Sequence, residues 1–311
     1  MEDYTFKKLP LEQKFESPEI LNLTIIANEK LAELDRVILQ IPNFDLVLQP
    51  LTIREAVASS EIENIRTTTI EMLQAELISP KTLTSGQKEV LNYKKSLLTG
   101  FELIQRKSIF TAEDLIVMHS LIVPEKPGVR NKGTVCIGNR LGKIIYMPPK
   151  NLKDINNYIT NLFEYISSKV SNSLVKIILS HYQLEAIHPF FDGNGRVGRV
   201  LMSLQLVMER KLQYPILFIS GYILQNKSTY YELFREIQEK GNWNDWIIFH
   251  LNGISNQASE VILRVKEINI LHKKFVIEID KLLKISKMKL ESIENYFFIQ
   301  AFYTQTNMAK V

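Results

Sequence analysis

The stretch of sequence that decides the fold runs from residue 173 to residue 210: SLVKIILSHYQLEAI (173–187), HPFFDGNGRVGR (188–199) and VLMSLQLVMER (200–210). Apolar residues lie nearly all round residues 173–187, and again round residues 196–210. A helix that is apolar on every side is buried in the core of a protein. The pattern therefore predicts two buried helices, 173–187 and 196–211, at the centre of the fold.

The connector between these helices, residues 188–195, is unusual for a surface loop. Gly193 and Gly195 flank Asn194, which favours a turn whose backbone N–H groups point inward and form an anion-binding nest. The connector leads directly into the N-terminus of the second helix, where unpaired N–H groups and the helix dipole favour phosphate. On their own, Asn194 and Gly195 are typical of an ordinary tight turn.

Charged residues at the same place fit phosphate chemistry. Arg196 and Arg199 are three residues apart on the first helical turns, so both can face one anion. Asp192 offers an oxygen for a divalent cation such as Mg²⁺, which binds through one or two carboxylates and the phosphates of a substrate. His188 can act as a base near neutral pH. Together these residues predict a site for a nucleoside polyphosphate.

Composition excludes several classes of protein. The chain has 311 residues, 45% hydrophobic and 23% charged, which is the balance of a folded globular protein and not of a disordered one. The net charge of +4 gives no support for nucleic-acid binding. One cysteine, Cys136, cannot form an internal disulfide, and no apolar run is long enough to span a membrane. We expect a cytoplasmic protein.

Periodicity elsewhere predicts mostly helices. Thr52 is expected to be the N-cap of a helix over 52–65, with Glu55 completing a capping box, and Thr111 the N-cap of another with Asp114. Residues 133–149 differ, because two short β-prone runs flank a turn-rich loop, and they predict a β-hairpin. The other predicted helices span residues 19–37, 85–105, 152–169, 228–241 and 244–269.

The connector carries a resemblance to a known family. His188 to Arg199 matches H-x-F-x-[D/E]-G-N-G-R-x-x-R at all eight specified positions, and this pattern is the signature of the Fic family. Residues 51–69, 146–149, 230–231 and 243–249 also resemble segments of Fic proteins, so the resemblance covers about residues 20–260. It implies a mainly α fold, with a Fic-type helical bundle core and a short β-hairpin flap.

Most Fic proteins are adenylyltransferases, which move AMP from ATP to a Ser, Thr or Tyr hydroxyl of a protein and release pyrophosphate. The resemblance implies that His188 is the catalytic base, that Phe190 packs inward, and that Asp192 binds Mg²⁺ or Mn²⁺. It also implies that the Asn194 side chain contacts the α-phosphate and that an aromatic residue covers the adenine. The implied ATP-binding residues are Gly193, Asn194, Gly195, Arg196, Val197, Gly198, Arg199 and Tyr230.

A second motif, Ser59-x-x-x-Glu63-Asn64, precedes the signature and matches the inhibitory pattern of the family, [S/T]-x-x-x-E-[G/N]. In that pattern the glutamate pairs with the second arginine of the signature, here Arg199, and prevents the γ-phosphate from binding productively. The alternative is that Glu63 is a solvated residue on a helix. The resemblance favours inhibition within one chain.

The resemblance also implies a division of the chain and a set of partners. Residues 1–90 would be an N-terminal helical region carrying the inhibitory helix (about 52–66), residues 91–268 the catalytic core, and residues 269–311 a helical tail too short for a complete winged helix. The hairpin at 133–149 would dock a protein substrate by strand addition, or else only cap the core. A homodimer that buries the inhibitory region is compatible with this organisation.

Three other functions remain open from the sequence. The chain could remove AMP from a modified protein, with Glu63 positioning a water, or could transfer a group from another phosphate donor. It could also be a non-catalytic nucleotide-sensing or toxin–antitoxin module, although the presence of His188 argues against a module that only binds.

Overall fold

Helices dominate the computed structural model, which describes residues 6–41, 45–75, 83–107, 109–131, 137–138 and 144–283. In these residues the helices are α1 (Pro18–Ile38), α2 (Asp45–Ile62), α3 (Thr69–Ala75), α4 (Ser85–Arg106), α5 (Ala112–Ile122), α6 (Leu152–Ser167), α7 (Ser173–Ile187), α8 (Asn194–Met208), α9 (Ser220–Gln225), α10 (Lys227–Lys240) and α11 (Trp243–Leu283). The prediction of a mainly α fold is confirmed.

The two predicted central helices form the core. Every residue of α7 from Leu174 to Ile187 is buried, and α8 is buried from Arg196 to Val207. The two helices pack against each other, with α6 on one side of α7 and α4 and α5 against α8. Because α7 and α8 are enclosed on most sides, the connector between them is held rigidly at one end of the bundle.

Helix α2 begins earlier in the chain than the sequence indicated. It starts at Asp45 and continues past Pro50 to Ile62. Thr52 is therefore an interior residue, and its hydroxyl donates to the carbonyl of Leu48, one turn earlier. The predicted capping box at Thr52 and Glu55 is wrong, whereas the box at Thr111 and Asp114 is present at the start of α5.

Two short strands lie between α5 and α6. Strands β1 (Ile137–Gly138) and β2 (Ile144–Tyr146) are antiparallel, with Ile137 opposite Tyr146 and Gly138 opposite Ile144. Residues 132–136 and 139–143, which include Cys136 and the turn of the predicted hairpin, lie outside the described residues. The extent of the hairpin and its role as a flap remain predictions.

The last helix, α11, joins regions that the sequence indicated as separate. It packs along α1, and the Lys266 ammonium lies 3.1 Å from a carboxylate oxygen of Glu33. The proposed boundary at 268–269 falls inside this continuous helix, and the boundary at 90–91 falls inside α4. Residues 284–311 of the predicted tail lie outside the described residues. Of the helices that the structure describes, none has the length and apolar character to cross a membrane.

Candidate active site

The connector between α7 and α8 begins where α7 ends. His188 is the C-cap of α7 and has left-handed backbone angles (φ 48°, ψ 58°), which turn the chain sharply out of the helix. Its Nδ1 atom lies 3.3 Å from the carbonyl oxygen of Glu185. Because a carbonyl oxygen only accepts, this contact places a proton on Nδ1 and leaves Nε2 as the basic nitrogen.

The protonation state of His188 suits a base. The pKa of the imidazole is lowered to about 4: burial is the largest cause and the nearby Arg130 guanidinium acts in the same direction, while the Glu185 carbonyl and the Glu63 and Asp192 carboxylates act in the opposite direction. A pKa well below neutrality keeps the ring uncharged at pH 7, so Nε2 carries no proton there.

The middle of the connector is held by the Asn194 side chain. Its Oδ1 accepts the Phe190 N–H at 2.9 Å, and its Nδ2 donates to the Phe190 carbonyl at 2.9 Å. Asn194 is buried, and its amide nitrogen carries a second N–H that these two contacts do not use. In the structure the amide closes the loop on itself, and the contact of this side chain with an α-phosphate stays a prediction. The Asn194 backbone N–H remains at the N-terminus of α8.

Phe190 and His119 complete the support of the connector. The Phe190 ring is fully buried and stacks on the imidazole of His119, with ring centroids 3.7 Å apart and planes at 5°. The His119 Nε2 atom lies 2.9 Å from the Asp192 carbonyl oxygen. The inward packing of Phe190 is as expected, and His119 from α5 is its structural partner.

We expect Asn194→Ala to destabilise the protein. The change leaves the Phe190 N–H and carbonyl unpaired in a buried loop, and each buried unpaired group costs about 1–3 kcal/mol. The free energy of unfolding, measured by denaturant titration, should fall by at least about 2 kcal/mol. Asn157→Ala, the same change at an exposed position of α6, should alter it by less than about 0.5 kcal/mol. Equal effects of the two changes would contradict this role.

Asp192 and Arg196 are linked by an ion pair. Arg196 Nη2 lies 3.3 Å from Asp192 Oδ1, and Arg196 Nη1 lies 2.6 Å from Oε2 of Glu89 on α4. The Arg196 side chain is buried, whereas the Asp192 side chain is 59% exposed. Arg196 is thus held by two carboxylates, and its Nε atom has no hydrogen-bond partner. The sequence did not indicate Glu89 as a partner of Arg196.

Asp192 is the residue that fits a divalent cation. Its carboxylate is largely exposed at the mouth of the connector, beside the free N–H groups of α8, and hard carboxylate oxygens are the donors that Mg²⁺ and Mn²⁺ prefer. The described residues hold no cluster of three or more potential ligands. A single carboxylate that shares the ion with phosphate oxygens needs no such cluster.

Arg199 forms an ion pair with Glu63, the residue that the sequence motif predicted as its partner. Its Nη2 atom is 3.0 Å from Oε1 of Glu63 and 3.0 Å from the Ser59 carbonyl, and its Nε donates to the Ser59 hydroxyl at 2.8 Å. Arg199 is buried, while the Glu63 side chain is 34% exposed. Gly195 permits the contact, because a Cβ at this position would overlap Glu63 Oε1 and Arg199 Nη1.

The helix that presents Glu63 is anchored at two further points. Glu55 on α2 is buried and accepts the hydroxyl of Tyr93 at 2.9 Å and the N–H of Ser220 at 3.3 Å. At the end of α2, Lys227 Nζ donates to the Ile62 carbonyl at 2.5 Å, and Asn64 adopts left-handed angles (φ 66°). These anchors come from distant parts of the chain, and the sequence did not reveal Glu55 or Lys227 in these roles.

Three of the predicted ATP-binding residues face inward. Val197 is fully buried, and Tyr230 is buried with its hydroxyl 3.0 Å from His181 Nε2. Gly198 faces the Glu185 carboxyl, whose pKa burial raises to about 7. The side chains of Val197 and Tyr230 are buried in this structure, and the roles of Val197, Gly198 and Tyr230 in binding ATP stay predictions. Tyr231, which packs edge-on against Tyr230 and is 36% exposed, is the accessible aromatic residue of the pair.

Family models match two parts of the chain. Residues 21–102 match the model described as Fic/DOC family N-terminal, and residues 109–206 match the model described as Fic/DOC family. The two matches together cover most of α1 to α8, and they include both the connector and Glu63.

Curated relatives carry the name protein adenylyltransferase. A probable protein adenylyltransferase of Aquifex aeolicus is 29% identical over 205 residues, which is 62% of this chain and 57% of that protein. The protein adenylyltransferase Fic of Nematostella vectensis is 30% identical over 154 residues, or 47% of this chain and 32% of that protein. The match thus spans little more than half of the first relative and a third of the second.

Solved structures share the fold. A Fic family protein from Desulfovibrio desulfuricans has a TM-score of 0.67 at 22% identity, covering 80% of this chain and 75% of that one. A Fic domain containing signaling protein from Bacteroides thetaiotaomicron has a TM-score of 0.59 at 15% identity, covering 80% of this chain and 97% of that one. At these identities the similarity establishes the architecture alone.

Proposed function

This chain belongs to the Fic/DOC family, and from that premise we propose that it is a protein adenylyltransferase, which transfers AMP from ATP to a Ser, Thr or Tyr hydroxyl of a protein. The observation that carries the proposal is the connector between α7 and α8. It brings an uncharged imidazole, an exposed carboxylate and the N-terminus of a buried helix to one end of the core. Relatives that carry the name protein adenylyltransferase support the same activity.

His188 is the base in the proposed reaction. Nε2 removes the proton of the target hydroxyl as its oxygen attacks the α-phosphorus of ATP. The bond between the α-phosphorus and the bridging oxygen breaks, and pyrophosphate leaves. The N–H groups at the start of α8 stabilise the charge that develops on the phosphoryl oxygens. Asp192 would hold Mg²⁺ or Mn²⁺, and such an ion, when bound, neutralises negative charge on the phosphate chain.

The remaining binding roles follow from accessibility. Arg199 would bind the γ-phosphate once Glu63 has left it. Arg196, whose buried side chain pairs with Asp192 and Glu89, would hold Asp192 in place, and its own contact with the phosphates stays a proposal. Tyr231 replaces Tyr230 as the proposed cover of the adenine, because its ring is the exposed one. The protein substrate would dock beside β1 and β2 by strand addition.

Autoinhibition is the proposed basal state of the protein. The Glu63 carboxylate occupies the guanidinium of Arg199 that the γ-phosphate of ATP needs. Since α2 and α8 belong to one chain, no partner is required for inhibition. A homodimer that covers α2 would strengthen it.

A second function, hydrolytic removal of AMP from a modified protein, has one observation in its favour. The Glu63 side chain is one-third exposed, so its carboxylate can also contact a water molecule and orient it towards a phosphate. In this case Glu63 would be required for activity rather than inhibit it.

We expect the Glu63→Gly protein, incubated with Mg²⁺ and a cell lysate, to add label above that of the lysate alone from ATP labelled at the α-phosphate and not from ATP labelled at the γ-phosphate. Adenylyl transfer retains the α-phosphate on the acceptor and releases the β- and γ-phosphates as pyrophosphate. Label on lysate proteins is measured after denaturing electrophoresis, with a reaction lacking divalent cation as the control. Transfer from the γ-labelled ATP would indicate phosphorylation and overturn the proposal. Loss of label from pre-adenylylated protein incubated with the wild-type protein, without new transfer, would favour the second function.

A further inference from the structure

Arg130 lies in the segment between α5 and β1, and its side chain reaches the catalytic connector. Its Nε donates to the His188 carbonyl at 2.7 Å, and its Nη2 donates to the Ile187 carbonyl at 3.3 Å. Its own backbone N–H donates to the Pro189 carbonyl at 2.9 Å. One residue therefore contacts three consecutive carbonyl groups, centred on His188.

The same guanidinium also contacts the chain after the strand pair. Nη2 donates to the carbonyl of Pro149 at 2.5 Å, three residues beyond the end of β2. From β2 itself, the Tyr146 hydroxyl donates to the Ala186 carbonyl at 2.9 Å. The segment around the strand pair is thus fastened to residues 186–189, and Arg130 provides the link to His188 itself.

These carbonyl groups need an outside partner. The last carbonyl groups of a helix have no partner within the helix, and a left-handed conformation is unfavourable for a residue other than glycine. Arg130 satisfies the carbonyls of Ile187 and His188 in this turned conformation. A planar guanidinium can donate in several directions at once, whereas the single ammonium of lysine cannot reproduce that geometry.

The charge of Arg130 has no carboxylate beside it in the part of the chain that the structure describes. Arg130 is 2% exposed, and the acceptors of its side chain there are backbone carbonyl oxygens. A buried cation close to an imidazole disfavours the charged form of the ring. The charged groups that face His188 are Arg130, Glu63 from the end of α2, and Asp192 from the connector.

We propose that Arg130 is a positioning residue for the transfer reaction: it fixes the backbone of His188 so that the imidazole is oriented as a base. The inference rests on the proposed function, because it assigns His188 as the base. Arg130 acts through His188 and has no contact with the reacting atoms.

The test uses the full chain carrying Glu63→Gly, in which transfer is expected to be measurable, and adds Arg130→Met or Arg130→Lys. Arg130→Met should lower kcat for label transfer by about 10- to 100-fold, because small misplacements of a catalytic group have effects of that size, with KM for ATP changed less than about twofold. It should also move the acid limb of the pH–rate profile to higher pH, since loss of the cation raises the pKa of His188. Arg130→Lys keeps the charge, so it should lower kcat without moving the limb.

The matched control is Tyr146→Phe, which removes the hydrogen bond from β2 to the Ala186 carbonyl at the same helix end without removing a charge. It should leave the acid limb in place. The imidazole titration of His188, followed by NMR and assigned by comparison with His188→Asn, reports the pKa independently of activity. If Arg130→Met fails to fold, Arg130→Lys decides the positioning role through kcat.

The outcomes separate the two proposals. An unchanged kcat in Arg130→Lys, or a folded Arg130→Met with unchanged kcat and an unchanged His188 titration, would overturn the inference while the proposed function stands. If the Glu63→Gly parent binds ATP but transfers no label, the proposed function fails. The NMR titration then still shows whether Arg130 sets the protonation of His188.

Discussion

Replacing Glu63 with glycine is expected to raise the rate of AMP transfer at low ATP concentration by about 10- to 100-fold. The Glu63 carboxylate accepts from the buried Arg199 guanidinium at 3.0 Å, and a hydrogen bond to a charged group contributes about 1.5–3 kcal/mol. ATP must displace this carboxylate before its γ-phosphate can use Arg199. At about 1.4 kcal/mol for each factor of ten in an equilibrium constant, removing that competition gives the expected range.

The structure also explains why Arg199 should remain usable after the change. Two of its hydrogen bonds, to the Ser59 hydroxyl and the Ser59 carbonyl, do not involve Glu63. Ser59 lies on α2, which Glu55 and Lys227 anchor to other parts of the core. The guanidinium is therefore held in place on one side while the side facing Gly195 becomes available to a phosphate.

The measurement is the initial rate of label incorporation from α-labelled ATP, for wild type, Glu63→Gly and Glu61→Gly. Glu61 is an exposed residue in the last turn of α2, two residues before Glu63, so Glu61→Gly removes one negative charge and adds one glycine close to the same helix end. It should leave the rate near that of wild type. Equal rates for all three proteins, with ATP binding intact, would show that Glu63 does not inhibit.

Local patterns account for the parts of the fold that were predicted well. The all-round apolar character of residues 173–187 and 196–210 allows no exposed face, so both helices had to be central, and they are. The Thr111 and Asp114 pair is likewise a signal contained within four residues. The error at Thr52 has a local cause as well, because a proline such as Pro50 usually marks the start or the end of a helix, although α2 continues through it.

The contacts of individual side chains within the protein could not be predicted from the motifs. The Asn194 amide bonds to Phe190 four residues earlier, an option that the motif alone does not reveal. Tyr230 and Tyr231 are adjacent, and their places depend on the rotation of α10 against the core. Only the packed structure shows that Tyr230 faces inward and Tyr231 outward.

The supporting residues of the site could not be found from sequence patterns at all. Glu89 pairs with Arg196 across 107 residues, and Arg130 reaches His188 across 58. Neither residue belongs to a recognisable sequence motif. A single charged residue in a helix or a loop has the same local sequence pattern whether it is paired within the protein or solvated. These contacts depend on how α4 and the segment after α5 pack around the connector.

Removing the imidazole at position 188 is expected to reduce AMP transfer by about 100- to 10,000-fold, the range that a positioned general base contributes. The best variant is His188→Asn in the Glu63→Gly background. Position 188 has left-handed backbone angles (φ 48°, ψ 58°), which asparagine tolerates better than alanine does. The change therefore removes the base while it preserves the turn into the connector.

The comparison with His188→Ala separates loss of the base from distortion of the loop. Both variants lack a proton acceptor, so both should be inactive in transfer from α-labelled ATP, but His188→Asn should keep the thermal stability and the ATP affinity of its parent more closely. Neither Arg199 nor the N-terminus of α8 depends on the imidazole for its position, so nucleotide binding should persist without turnover. If His188→Asn transferred label at the rate of its parent, the imidazole would not be the base.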